Sequence, residues 1–216
     1  MSVTIKFLGR MDYHEALKLQ QALHSQRLSG EIEDTLLLLE HPPVITLGKR
    51  GKYTNIIAPR ELLSQTGVEI VETGRGGDVT YHGPGQLVGY FIVDLHNYKN
   101  SIKKLINIVE AAFISFLKKE YDIEACAGER EHTGIWVGGD KITAIGLSVS
   151  KSVTMHGFAF NVNTDLEHFK WINPCGITDK GVTSIKKLTM QECDFKKVAE
   201  AFSKEYLSVE KDTRLG

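Results

Sequence analysis

Apolar positions along this chain alternate between helical spacing and short unbroken runs, and the switches mark a succession of helices and strands. Asp12 and Glu15 form a D-x-x-E start signal, and Ala16, Leu19 and Leu23 follow at intervals that put them on one helical face. Thr35 to Leu39 and Val44 to Leu47 are mostly apolar runs, so each reads as a buried strand, with Pro42-Pro43 turning the chain between them. A short helix is expected from Pro59 to Gln65, stopped by Gly67, then a strand over Val68 to Glu72 and another over Leu87 to Leu95.

The clearest helix runs from Ser101 to about Lys119, where Ile102, Leu105, Ile106, Val109, Phe113 and Phe116 share a face; it reads as a core-packing element without catalytic meaning. Gly134 to Val137 and Lys141 to Ser148 pair as a hairpin around Gly138-Gly139-Asp140, followed by a strand at His156 to Asn161. A last helix is expected over Asp194 to Leu207, with Phe195, Val198, Phe202 and Tyr206 inward and a polar end that frays from Ser208. Strands mixed with helices that lie on them predict an α/β (α+β) fold, a mixed sheet flanked by helices, in one domain spanning residues 1–216.

Composition narrows the function classes. With 42% apolar and 25% charged residues in a chain of 216, usage is that of a compact globular protein. A net charge of −1 argues against a dedicated nucleic-acid binder and supplies no field for a membrane surface. The longest apolar block, Thr35 to Leu39, is far short of the roughly 20 residues that span a bilayer. Cys126, Cys175 and Cys193 are odd in number and widely spaced, so they imply neither a disulfide framework nor structural zinc. The first eight residues lack the features of a leader, and a cytoplasmic, monomeric protein without cofactor is expected.

Candidate chemistry gathers in three segments. The stretch Arg75-Gly76-Gly77-Asp78-Val79-Thr80-Tyr81-His82-Gly83-Pro84-Gly85-Gln86 puts glycine freedom beside an arginine and a histidine, as a ligand-holding loop would, beyond what core building requires. Its spacing is not that of a dinucleotide loop, and no G-x-x-x-x-G-K-[ST] occurs in the chain. In Gly138 to Gly146, Lys141 opens an apolar strand; taken alone it reads as a solvated hairpin lysine, but desolvated it would suit a base. Cys175 sits between Pro174 and Gly176 in an evident loop, where a nucleophile competes with the ordinary reading of a small buried thiol.

Together the three segments resemble the signature of the lipoyl(octanoyl) transferases of lipoate biosynthesis. Every fixed letter of R-G-G-x-x-T-[aromatic]-H-x-x-G-Q is present in Arg75, Gly76, Gly77, Thr80, Tyr81, His82, Gly85 and Gln86. The family's catalytic cysteine and lysine fall on Cys175 and Lys141. The resemblance implies a biotin/lipoyl-ligase-like catalytic fold and transfer of an octanoyl group from octanoyl-acyl carrier protein to lipoyl domains. The acceptors it implies are those of 2-oxoacid dehydrogenases and the glycine cleavage H protein. It also implies substrate contacts at Arg75, Gly76, Gly77, Asp78, Val79, Thr80, Tyr81 and His82, at Ala144, Ile145 and Gly146, and at Gly157, Phe158 and Ala159, with His82 near the thioester or purely structural.

The residue chemistry suits such a reaction. A thiolate exchanges with a thioester almost thermoneutrally, and Lys141 is placed to act as its base or to stabilise it as an ammonium. The acceptor lysine, with a reference pKa of about 10.4, must lose a proton before it attacks. Lys49, Arg50 and Lys52, or Lys186 and Lys187, are candidate basic patches for an acidic carrier protein. Two rivals share the fold: an ATP-dependent lipoate or biotin ligase, which needs no Cys175, and a non-catalytic binder of lipoyl domains.

Overall fold

The structure, a computed structural model, describes residues 3–129, 132–173 and 181–215. Among these, strands β1 (Thr4–Arg10), β2 (Thr35–Glu40), β6 (Gln86–Ile92), β10 (Val153–Asn161), β9 (Asp140–Ser150), β8 (Gly134–Val137) and β7 (Cys126–Ala127) form a mixed sheet in that spatial order. β1 runs parallel to β2, and every other neighbouring pair is antiparallel. A second sheet has the order β4 (Glu69–Glu72), β3 (Val44–Leu47), β5 (Val79–His82).

The large sheet is covered on both faces, which explains the unbroken apolar runs. Leu36 and Leu38 of β2, with Leu87 and Phe91 of β6, pack under α3 (Ile102–Tyr121) and α5 (Phe195–Leu215), whose Phe113 and Phe202 rings stack at 4.2 Å. Leu37, Leu39, Val88 and Tyr90 point to the other face, against Ala16 and Leu23 of α1 (Tyr13–Leu28). Successive strand residues alternate between faces, and both faces are core, so polarity has nowhere to alternate. The small sheet buries Ile45, Leu47, Val79 and Tyr81 against Leu63 of α2 (Arg60–Gln65) and Ile172.

Most expected elements form, with caps of the anticipated kind. Asp12 Oδ1 accepts from the backbone N–H of His14 and Glu15, and the Ser101 hydroxyl accepts from Lys104 N. Several expectations need correction. The first residues form β1, an edge strand whose side chains are mostly exposed and which therefore carries little hydrophobic signal. Residues 79–82 of the glycine-rich stretch are a strand, β5, and Ile185–Thr189 forms a short helix, α4. The strand expected to reach Leu95 stops at Ile92, because Asp94 caps a 3-10 turn over Leu95–Tyr98 by accepting from His96 N. The fraying expected from Ser208 is absent: α5 continues to Leu215, and buried Glu210 accepts a hydrogen bond from the Tyr98 hydroxyl.

Candidate active site

The glycine-rich segment joins the small sheet to the large one. Gly76 N donates to Leu147 O at 3.1 Å across the seam, while Gly48 N, Lys49 N and Arg50 N donate to the carbonyls of Asp78, Arg75 and Gly77. A Cβ on Gly146 would meet Gly76 O at 2.7 Å, and one on Gly76 would meet Leu147 O at 2.9 Å. These two glycines are therefore required by backbone packing, which for Gly76 is contrary to the expectation that core building does not need the glycine-rich stretch.

Arg75 is buried, and its guanidinium faces inward to protein. Nε and Nη2 donate to the Thr46 hydroxyl at 3.0 and 2.9 Å, Nη2 also to Thr46 O at 2.6 Å, and Nη1 to Gly76 O at 3.0 Å. Its planar fork thus braces β3 against the glycine loop. Asp78, also buried, accepts from Asn55 Nδ2 at 2.7 Å.

Beside this seam lies a cavity of about 280 Å³, near the lower end of the roughly 300–1,000 Å³ usual for ligand clefts. Ile145 and Leu147 of β9, Phe158 of β10 and Phe169 give it apolar walls, joined by Ile102 and Ile106 of α3. The helix expected to serve only the core therefore contributes to the wall as well. Arg75, Gly76, Gly77, Asp78, Val79 and Thr80 line it from the loop side, and Ala144, Gly146, Gly157 and Ala159 from the sheet. Tyr81 does not. The period-two alternation that carries Thr80 and His82 to the cavity sends the Tyr81 ring into the small sheet's core, where its hydroxyl lies 2.9 Å from His168 Nδ1.

Lys141 lies on the cavity wall at the start of β9. Its Nζ stands 4.8 Å from the centroid of the Trp136 ring, and the Trp136 indole is held by donating to His132 O at 3.0 Å. The Lys141 backbone donates to Gly181 O and accepts from Thr183 N, both at 3.0 Å. Cys175 lies outside the described residues. The chain enters that stretch from Asn173, whose N–H donates to Asn55 O, and leaves it at Gly181 against Lys141.

Polar side chains also line the cavity: His82 and Gln86 of the glycine-rich motif are joined by Asn161, and by Tyr13, Tyr90 and His156, which sequence patterning did not single out. His82 Nδ1 lies 2.8 Å from Gln86 Oε1; Gln86 Nε2 donates to Tyr81 O and to Asn161 Oδ1, and Asn161 Nδ2 donates to Thr183 O. His41 links Met11 O to the Tyr90 hydroxyl, with 2.7 Å on each side. His156 has φ 61, its N–H donates to Gln20 Oε1, and its ring lies 6.3 Å from that of Tyr90. Strict alternation would have put His156 on the face of Phe158; the left-handed backbone redirects it.

All three histidines are held neutral. Burial pushes His82 well below 6.5, assisted by His41 and the Arg75 guanidinium. Burial likewise lowers His41, and burial with Arg75 and Lys49 lowers His156 to about 4. Among the described residues, no group of His, Cys, Asp and Glu is arranged to hold a metal ion, and no helix is long and apolar enough to cross a membrane.

Residues 12–207 match the family model of the lipoyl protein ligase A/B catalytic domain. The chain is 54% identical over 208 residues to an octanoyltransferase of Caldicellulosiruptor saccharolyticus, covering 94% of this chain and 88% of that protein. It is 52% identical over 198 residues to an octanoyltransferase of Desulforamulus reducens, covering 92% and 86%. Among solved structures, lipoate-protein ligase A bound with ATP superposes with a TM-score of 0.72 at 14% identity, covering 99% of this chain and 93% of that one. The biotin protein ligase of Aquifex aeolicus gives 0.59 at 15% identity, covering 99% and 71%. At such identities the last two establish a shared fold.

Proposed function

The chain belongs to the lipoyl protein ligase A/B catalytic family and is an octanoyl-transferring acyltransferase, and on that premise we propose that it works through a thioester on Cys175. In this reading the donor is octanoyl-acyl carrier protein. The Cys175 thiolate attacks the donor's thioester carbon, the carrier's thiol leaves, and the octanoyl group rests on Sγ. A lysine ε-amine of a lipoyl domain then attacks the same carbon, an amide forms, the C–S bond breaks, and the second N–H proton passes to the departing Cys175 sulfur, which leaves as the thiol. The ammonium of the acceptor must lose a proton before this second step, and Lys141 is the proposed acceptor of that proton.

The observation that carries the reading is the cavity's mixed lining: apolar Ile102, Ile106, Ile145 and Phe158 share it with Lys141 and with the hydrogen-bonded set of His82, Gln86 and Asn161. An eight-carbon chain in apolar surroundings gains about 0.8 kcal/mol per CH₂ removed from water. The small side chains of Ala144 and Ala159 leave room for it. The product amide is more stable than a thioester, so the transfer needs no ATP. Lipoyl domains of 2-oxoacid dehydrogenases and the glycine cleavage H protein are the proposed acceptors, the cytoplasm the proposed compartment, and a single domain acting as a monomer the proposed form.

The test is intact-mass spectrometry after mixing the protein with octanoyl-acyl carrier protein. The expected result is a gain of one octanoyl group, removable by hydroxylamine and absent in Cys175→Ala. Acceptor labelling only with free octanoate and ATP would replace this reading with that of a ligase.

A further inference from the structure

Two backbone carbonyls fix the tautomer of His82. Thr183 O and Tyr81 O can only accept, so the groups facing them, Asn161 Nδ2 at 3.0 Å and Gln86 Nε2 at 3.2 Å, are amide NH₂ donors. Asn161 Oδ1 is then an acceptor, and it receives the second Gln86 N–H at 3.0 Å. Gln86 Oε1 is left as an acceptor 2.8 Å from His82 Nδ1, so Nδ1 must carry the proton. Nε2 of a neutral imidazole is then a bare lone pair, and it makes no hydrogen bond to any described residue although the ring lies on the cavity wall.

The hydroxyl proton of nearby Tyr90 is already committed. Met11 O can only accept, so His41 donates from Nδ1, and the Tyr90 hydroxyl must donate to His41 Nε2. An acyl thioester brings only acceptor atoms to its reacting end, whereas the lysine amine brings N–H groups. His82 Nε2 is therefore unsuited to the thioester carbonyl and suited to the amine.

Resting on the transfer proposed above, we propose that His82 Nε2 accepts an N–H hydrogen bond from the attacking lysine ε-amine, orienting its lone pair toward the thioester carbon, with Gln86 and Asn161 as the positioning residues that hold the imidazole in that state. His82 takes no proton itself. The same relay continues through Thr183 N to Lys141 O at 3.0 Å, so the amine-orienting group and the strand of the proposed base are registered to one another.

Two measurements test this. Histidine-labelled protein is observed by long-range ¹H–¹⁵N NMR, with the His82 resonances assigned by their loss in His82→Gln. The Nδ1–H neutral pattern is expected, persisting from pH 8 to pH 6, and an Nε2–H or imidazolium pattern overturns the proposal. Second, octanoylated enzyme is mixed with a lipoyl domain in single turnovers, comparing wild type with Gln86→Glu across pH. A carboxylate at Oε1 favours the imidazolium, whose Nε2 becomes a donor.

The expected outcome is that amide formation in Gln86→Glu falls roughly tenfold or more relative to wild type as pH drops to 6 and recovers toward pH 8, with octanoylation of the enzyme affected less. Facing His82 are His41, Tyr13 of α1, Tyr90 of β6, His156 of β10 and Arg75; burial lowers the histidines and raises the tyrosines, so none of them gains charge toward pH 8. A profile for Gln86→Glu that parallels wild type overturns the inference. Failure of wild type to become octanoylated overturns the underlying reaction instead, while the NMR result still decides the tautomer.

Discussion

Gly76 and Gly146 face one another across the seam between the two sheets so closely that a Cβ on Gly146 would lie 2.7 Å from the carbonyl oxygen of Gly76. The opposing atoms are backbone, held in turn by the Gly76 N–H bond to Leu147 O. Gly146→Ala must therefore push the sheets apart or strain β9. Overpacking of this kind costs about 1–3 kcal/mol, seen as a lowered urea midpoint with octanoyl transfer reduced in parallel. An unchanged midpoint would mean that the seam is softer than its geometry indicates.

Arg75 acts as a brace. Arg75→Lys keeps the charge but cannot reproduce three donors spread over the Thr46 hydroxyl, Thr46 O and Gly76 O. Leaving such buried acceptors unmet costs about 1–3 kcal/mol each at most. Denaturant unfolding of Arg75→Lys should show a stability loss in that range; full stability would show that a point charge suffices.

Buried neutral histidines make the fold acid-sensitive. His156 binds its proton near 6.5 when unfolded and at about 4 when folded, so between these values the unfolded chain holds more protons and stability falls as pH falls. His41 and His82 are shifted in the same direction by burial. Exposed His14, raised by Glu69, works oppositely but is screened by solvent. Urea unfolding between pH 6.5 and pH 4 should lose about 1 kcal/mol per pH unit through His156, with His41 and His82 adding in the same direction. His156→Gln should flatten that slope, and a slope identical to wild type would refute the assignment.

Lys141→Arg and Lys141→Ala separate charge from proton transfer. Arginine stays protonated, so if Lys141 is the base both variants lose the second step by about 10²–10⁴-fold. Retention of rate in Lys141→Arg alone, measured in single turnovers, would instead make thiolate stabilisation its role. Variants of Cys126, exposed, and Cys193, partly buried, should transfer at near the wild-type rate.

Ile106 on α3 offers a handle on acyl length. Ile106→Phe should shorten the apolar part of the cavity and favour a chain two methylenes shorter by roughly 1.6 kcal/mol, or ~15-fold. Competition between hexanoyl and octanoyl donors measures this ratio, and an unshifted preference would place the chain elsewhere.

Local pattern made the helices and most strands legible: the Asp12 and Ser101 caps, the apolar face of α3 and the unbroken runs of β2 and β3 form as their residue spacing predicts. β1 escaped notice because an exposed edge strand needs no apolar face, and β5 because its residues sit among glycines that suggested a loop. The motif residues Arg75 to Thr80 and Lys141 do converge on one cavity, while Tyr81 turns away from it. Cys175 lies outside the described residues.

What the chain's order of residues determined by itself was chemistry and local shape, since caps, periodicity and motif letters act over a few neighbouring positions. Which groups meet was decided only in three dimensions. His41, His156 and Asn161 come from parts of the chain far from the His82–Gln86 motif and share no spacing with it. Their tautomers and neutral charge follow from burial and from bonds to backbone carbonyls, which exist only once the two sheets have closed over them.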